Sequence, residues 1–118
     1  PDLGETFFRS RWEANYARFL NLLKRKGEIR EWAYEDDTFW FEAIRRGIRS
    51  YTPDFKVWDH DGSVYYVEVK GWMDAKSKTK LKRMKKYHPD VDLRLFGEKA
   101  YREIERKLGA AIPGWEVA

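Results

Sequence analysis

The chain has 118 residues, the size of one domain with one core, and such a chain buries about two-thirds of the surface it exposes when unfolded. Its 42% hydrophobic and 37% charged residues, with 6 Trp, 7 Tyr and 7 Phe, exclude disorder, and the absence of cysteine excludes thiol catalysis, disulfides, zinc fingers and iron–sulfur clusters. The net charge of +4 is concentrated: Lys76, Lys78, Lys80, Lys82, Arg83, Lys85 and Lys86 lie between Ala75 and His88 without an acid, and the 24 cations less these seven leave 17 against 20 acids elsewhere. Such a patch suits a phosphate backbone, or is a solvated helix face. With only His60 and His88 as imidazoles, any metal is expected to be a hard cation on oxygen. No apolar run reaches the roughly 18 residues of a membrane span and the first ten residues lack a signal pattern, so a cytoplasmic protein without membrane contact is expected.

In chain order, Trp12, Tyr16, Phe19, Leu20 and Leu23 form a helical stripe that predicts a helix over 11–26, with Ser10 as its N-cap and Gly27 as its stop. Residues 28–34 and 38–42 read as strands with Glu35-Asp36-Asp37 as the turn between them, and 43–49 reads either as a helical turn or as the loop of a longer hairpin. Residues 50–58 and 63–69 are the clearest strand pair, closed through His60-Asp61-Gly62, where Gly62 can take the left-handed position. The basic segment predicts a helix over 75–87, stopped by Pro89, whose predecessor His88 is pushed out of helical geometry. A strand over 92–96, a helix over 98–108 and a tail docked through Trp115 complete the chain. The order α-β-β-β-β-α-β-α, without a linker, predicts a single α/β domain over 1–118, a mixed sheet flanked by helices.

The hairpin carries the chemistry. Glu68 and Lys70 are two apart on one strand and emerge on one face. If His60-Asp61-Gly62 is a three-residue loop, Asp59 pairs with Ser63 and Asp54 falls opposite Glu68; a two-residue loop sets Asp54 against Val69 instead. Two facing carboxylates repel unless a cation lies between them, and Mg²⁺ held by one or two carboxylates and water is the usual solution in phosphoryl chemistry, with Mn²⁺ able to substitute. A neighbouring lysine then orients or deprotonates the attacking water and stabilises charge on the phosphate. The plain alternatives are a surface ion pair at Glu68 and Lys70 and an ordinary strand-entry residue at Asp54.

The Pro53-Asp54 pair facing Glu68-Val69-Lys70 resembles the PD-(D/E)xK nuclease superfamily. Phe8-Arg9-Ser10 with Glu13, Gly27, Tyr34-Glu35, Tyr51-Thr52-Pro53-Asp54-Phe55, Val67-Glu68-Val69-Lys70-Gly71 and Tyr87-His88-Pro89 resemble, in order, phage Holliday-junction resolvases of the endonuclease I type. The resemblance implies a restriction-endonuclease-like fold and Mg²⁺-dependent cleavage of branched DNA in recombination by a homodimer, a phage-encoded one acting in the host cytoplasm. It places the metal-binding acids on Asp54 and Glu68, the Val69 carbonyl as a further ligand, the catalytic lysine on Lys70 and the helical glutamate on Glu13. The family's first-strand glutamate aligns with Ala33, Glu35 replaces it only with a shifted register, and residues 39–49 form a segment where the resolvases differ.

Glu13 has two readings that do not exclude each other. Ser10-Arg11-Trp12-Glu13 is a capping-box pattern, and Glu13 also lies at the margin of the apolar stripe, where it can face inward toward the sheet; the resemblance implies that Glu13 serves the metal with Asp54 and Glu68. For the basic helix, Lys76, Lys78, Lys80, Lys82, Arg83 and Lys86 are DNA-backbone candidates, with Arg45, Arg46 and Arg49 as a second set and Trp72 as a stacking candidate. A nicking or restriction-like nuclease, a transposition-associated nuclease and a non-cleaving nucleic-acid-binding module are the alternatives to a junction resolvase.

Overall fold

In a computed structural model of the chain, Leu3 and residues 8–116 are described. Helix α1 (Arg11–Arg25) starts where the Ser10 hydroxyl accepts the Glu13 amide at 3.1 Å and ends before Gly27, whose φ of 78° only glycine adopts without strain. Four strands, β1 (Ile29–Tyr34), β4 (Phe55–Asp59), β5 (Val64–Val69) and β6 (Leu93–Phe96), make a mixed sheet in the order β1-β4-β5-β6. The first three are antiparallel neighbours, and β6 joins β5 in parallel. A parallel neighbour needs a crossover, and helix α2 (Ala75–Tyr87) supplies it.

Alternation along β4 and β5 buries Phe55, Val57, Tyr65, Val67 and Val69 on one sheet face, where Tyr16, Ala17 and Leu20 of α1 cover them. Helix α3 (Glu98–Leu108) joins this layer through Tyr101, stacked on Trp12 with ring centroids 4.0 Å apart. The tail docks as the sequence predicts: the Trp115 indole donates to Glu105 at 3.0 Å and its ring lies against Tyr101. The chain is thus a small α/β domain with a mixed sheet and three α-helices. Among the described residues no helix is long and apolar enough to cross a membrane.

Three expectations are corrected. The strand predicted over 50–58 is broken at Thr52-Pro53-Asp54 into β3 (Ser50–Tyr51) and β4, because proline has no N–H for a ladder. The predicted neighbours over 28–34 and 38–42 do not pair: β1 joins β4, while β2 (Phe39–Trp40) pairs with β3 in a separate two-stranded arm. Residues 43–49 are therefore the loop of a longer hairpin, and Gly47 turns within it at a φ of 72°. The single expected core is also accompanied by a smaller cluster, in which Phe41 and Tyr51 of the arm bury Met84 of α2 with Ile44, Ile48 and Tyr87 around them.

Candidate active site

The turn between β4 and β5 decides the site. The Asp59 amide donates to the Ser63 carbonyl at 2.8 Å, the Gly62 amide to the Asp59 carbonyl at 3.0 Å, and Gly62 has a φ of 89°. This is the three-residue loop, and with Lys56 opposite Tyr66 and Phe55 opposite Val67 the next pair is Asp54 and Glu68. Counting by twos from the Asp59–Ser63 bond puts Pro53 opposite Val69 in the hydrogen-bonding position. Pro53 has no N–H to give, so the Val69 carbonyl lacks its ladder donor, and the Val69 amide turns to Asp54 Oδ2 at 2.8 Å.

A cleft of about 270 Å³ opens at this end of the sheet, lined by Glu13, Tyr51, Asp54, Glu68, Lys70 and Lys80 among others. All four side chains expected to act, Glu13, Asp54, Glu68 and Lys70, meet there with the Val69 main chain. Asp54 is only 3% exposed; burial, and then the charge of Glu68, push its carboxyl up to about 7, against the Val69 amide. Glu68 is raised by burial and held back by the Tyr51 hydroxyl that donates to it and by Lys70 and Lys80. Burial, and then Glu68, push the Tyr51 hydroxyl above its usual range, so it stays a donor.

Glu13, 8% exposed, is held by two hydroxyls: Tyr34 donates to one carboxylate oxygen, and Ser10 to the other at 3.4 Å. The return half of the capping box is thus made through the Ser10 hydroxyl, and the rest of the carboxylate faces the cleft. Arg9 spans the rim, with Nη2 at 3.1 Å from Asp54 and 2.7 Å from Glu35. Glu35, at a left-handed φ of 49°, is tied to Arg9 and does not line the cleft, so it does not stand where a first-strand glutamate would.

The basic helix divides. Lys76, Lys78, Lys82, Lys85 and Lys86 are exposed, whereas Lys80 is half-buried and turned into the cleft beside Ser77. Arg83 is half-buried and donates to the Ile48 carbonyl of the arm. Trp72 is 76% exposed just past the Glu68–Lys70 strand. The sequence alone groups Lys80 with the other DNA-backbone candidates of the helix and gives no role to Arg9, Tyr34 or Tyr51. The helical step of three from Ser77 to Lys80 was the available signal for Lys80.

The donor set fits a hard divalent cation in one particular way. Among the described residues no group of three or more His, Asp or Glu is gathered as a cage. The buried Asp54 and the half-buried Glu68, both of raised pKa, with the Val69 carbonyl that Pro53 cannot donate to, match the Mg²⁺ habit of taking one or two carboxylates and keeping several waters.

The fold and the cleft define a class: a small α/β domain whose sheet end pairs buried acids with lysines beside a cationic helix. The chain belongs to the DUF1064 family, described as proteins of unknown function, whose model matches residues 3–103. No curated protein and no solved structure matches it.

Proposed function

We propose that this protein is a metal-dependent DNA endonuclease of the PD-(D/E)xK type that hydrolyses phosphodiester bonds, with branched DNA as its substrate. The observation that carries this reading is the register: Asp54 falls opposite Glu68, with Lys70 two residues on, in one cleft. The antiparallel hairpin followed by a helical crossover to a parallel strand supports a restriction-endonuclease-like fold.

In the proposed reaction Asp54, Glu68 and the Val69 carbonyl hold Mg²⁺, for which Mn²⁺ can substitute. When bound, the cation supplies Lewis-acid stabilisation of charge on the phosphoryl oxygens. Lys70 orients the attacking water and, with Lys80, offsets the charge that develops on the phosphate. Glu13, aimed by Tyr34 and Ser10, accepts a hydrogen bond from water at the opposite wall. Tyr51 keeps one Glu68 oxygen occupied, which leaves the other toward the cleft. The exposed lysines of α2 bind the DNA backbone. Cutting both strands of a junction takes two clefts, which a homodimer provides.

One observation favours a second reading, a DNA-binding module that does not cut: the Arg9 guanidinium already neutralises Asp54 at 3.1 Å. Incubation of a four-way junction, a nicked duplex and a plain duplex with Mg²⁺, Mn²⁺ or chelator decides. The nuclease cuts with either metal, prefers the junction and stops with chelator. Binding without cutting under every condition selects the module.

A further inference from the structure

The arm formed by β2, β3 and their loop lies against α2 and brings charge with it. Phe41, Ile44 and Ile48 pack on Met84 and Tyr87, and the Arg83 guanidinium donates to the Ile48 carbonyl. Between arm and helix runs a groove of about 410 Å³ lined by Ile44, Thr79, Lys82, Arg83, Lys86 and Tyr87. Five of the lining residues are helical, and 79, 82, 83 and 86 among them make one stripe at spacings of three, four and seven, with Tyr87 beside it. Arg45 and Arg46 follow Ile44 directly and are exposed, as is Arg49.

An element that served only to cover a cationic helix would carry acids toward it, since like charges brought together in a folded chain destabilise it. This arm carries one acid, the exposed Glu42, against three cations, Arg45, Arg46 and Arg49. The acids that precede it are used elsewhere, Asp36 and Asp37 pairing with Lys56 at 3.7 and 2.7 Å. Among the described residues Arg45, Arg46, Lys78, Lys82 and Lys86 form no ion pair. Helix α2 thus supplies the cations of the groove wall and the arm supplies Ile44, with the exposed Arg45 and Arg46 next to it in sequence, so two elements distant in sequence bring net positive charge to one place.

We infer that this groove is a second phosphate-backbone site, gripping the flank of the DNA whose scissile phosphate lies in the cleft; the inference rests on the nuclease reading. Both sites share α2, with Lys80 in the cleft and Lys82 and Lys86 in the groove. Six residues from Lys80 to Lys86 span about 9 Å of helix axis. At about 3.4 Å of rise per nucleotide of one strand, the groove meets the backbone roughly two to three nucleotides from the cut.

The test uses Arg45→Ala/Arg46→Ala, whose side chains are exposed, with Arg106→Ala on α3 as control, a cation already paired with Glu103. Affinity for a four-way junction and for a 30-base-pair duplex is measured by fluorescence anisotropy in chelator, from about 50 to 200 mM salt. With two fewer phosphates neutralised the log–log salt slope drops by about 1.8, so affinity falls about 12-fold less across that range than for the wild type. Neutral methylphosphonates two or three nucleotides from the cut should weaken the wild type more than the double variant, which keeps Lys82 and Lys86. An unchanged slope, an equal loss in Arg106→Ala, or a loss confined to anionic phosphatidylserine vesicles overturns the inference. Cutting by a variant of unchanged slope fails this inference alone, whereas a wild type that neither binds nor cuts DNA fails both readings.

Discussion

Asp54→Asn separates a carboxylate kept for function from one kept for stability. Its folded pKa is raised to about 7, chiefly by burial, so ionisation is disfavoured in the native state. For an acid shifted upward, the stabilising contribution is complete below the unfolded value, about 4, and is lost as pH rises through about 7. Integrating the linkage between those values makes the Asp54 carboxylate cost about 2.5 kcal/mol more at pH 8 than at pH 5. For a chain of this length that is on the order of 10 °C in melting temperature. Asparagine has no such dependence, but its amide cannot accept from both Arg9 and the Val69 N–H, which costs about 1 to 3 kcal/mol at any pH. Thermal melts of both proteins in chelator should therefore show asparagine falling behind at pH 5 and recovering by about 10 °C relative to the wild type at pH 8. Added Mg²⁺ should raise the wild-type melting temperature and not the variant's, and the variant should not cut. Parallel pH profiles would refute the argument, because the Asp54 carboxyl would then titrate alike in the folded and unfolded chain.

Other perturbations address the rest of the cleft. Glu13→Gln keeps hydroxyl contacts to Ser10 and Tyr34, so it should melt near the wild type while cutting poorly, whereas Ser10→Ala should lose on the order of 1 kcal/mol and stay active; a fully active Glu13→Gln would reduce Glu13 to a cap. Tyr51→Phe removes the hydroxyl that holds the Glu68 pKa down, so the acid limb of the pH–rate profile should move to higher pH, and an unmoved limb would detach Glu68 from the rate. Replacing Lys78, Lys82 and Lys86 by alanine should lower the salt slope of DNA binding by about 0.9 for each phosphate no longer neutralised, alike for all sequences; an unchanged slope would make them a solvated face.

The site is more legible in the sequence than the sheet that carries it. Residue spacing is local information, and a loop whose third residue is Gly62 sets the register of five pairs beyond it, down to Asp54 and Glu68. The bounds of α2 and α3 agree with the prediction, because Asp74 caps one with a 2.7 Å bond to Ser77 and Pro89 closes it, and Gly97 opens the other. The pairing of β1 is not legible, since a strand rich in aromatics fits either neighbour, and only covering by α1 favours β4 over β2. Pro53 hides within an alternating run that reads as one strand, although its missing N–H both splits that strand and leaves the Val69 carbonyl to the cleft. Arg9, Tyr34 and Tyr51 escape a sequence reading because their bonds to Asp54, Glu13 and Glu68 span 45, 21 and 17 residues, and no local pattern marks such a partner.

The order of the strands also fixes when the cleft appears during folding. Within the four-stranded sheet only β4 and β5 are joined by a tight turn; β1 waits on closure of the segment that holds the arm, and β6 on the crossover helix. A hairpin closed by a short loop forms in about 1 to 10 μs, well ahead of pairings that must close longer loops. Asp54 and Glu68 are therefore brought face to face while the chain is still largely open to solvent, and their repulsion acts on the nucleus itself. Refolding in chelator should then be faster for Asp54→Asn than for the wild type at pH 8, with the difference vanishing only below about pH 4, where carboxyls still open to solvent take up protons, and equal rates at pH 8 would place the hairpin late.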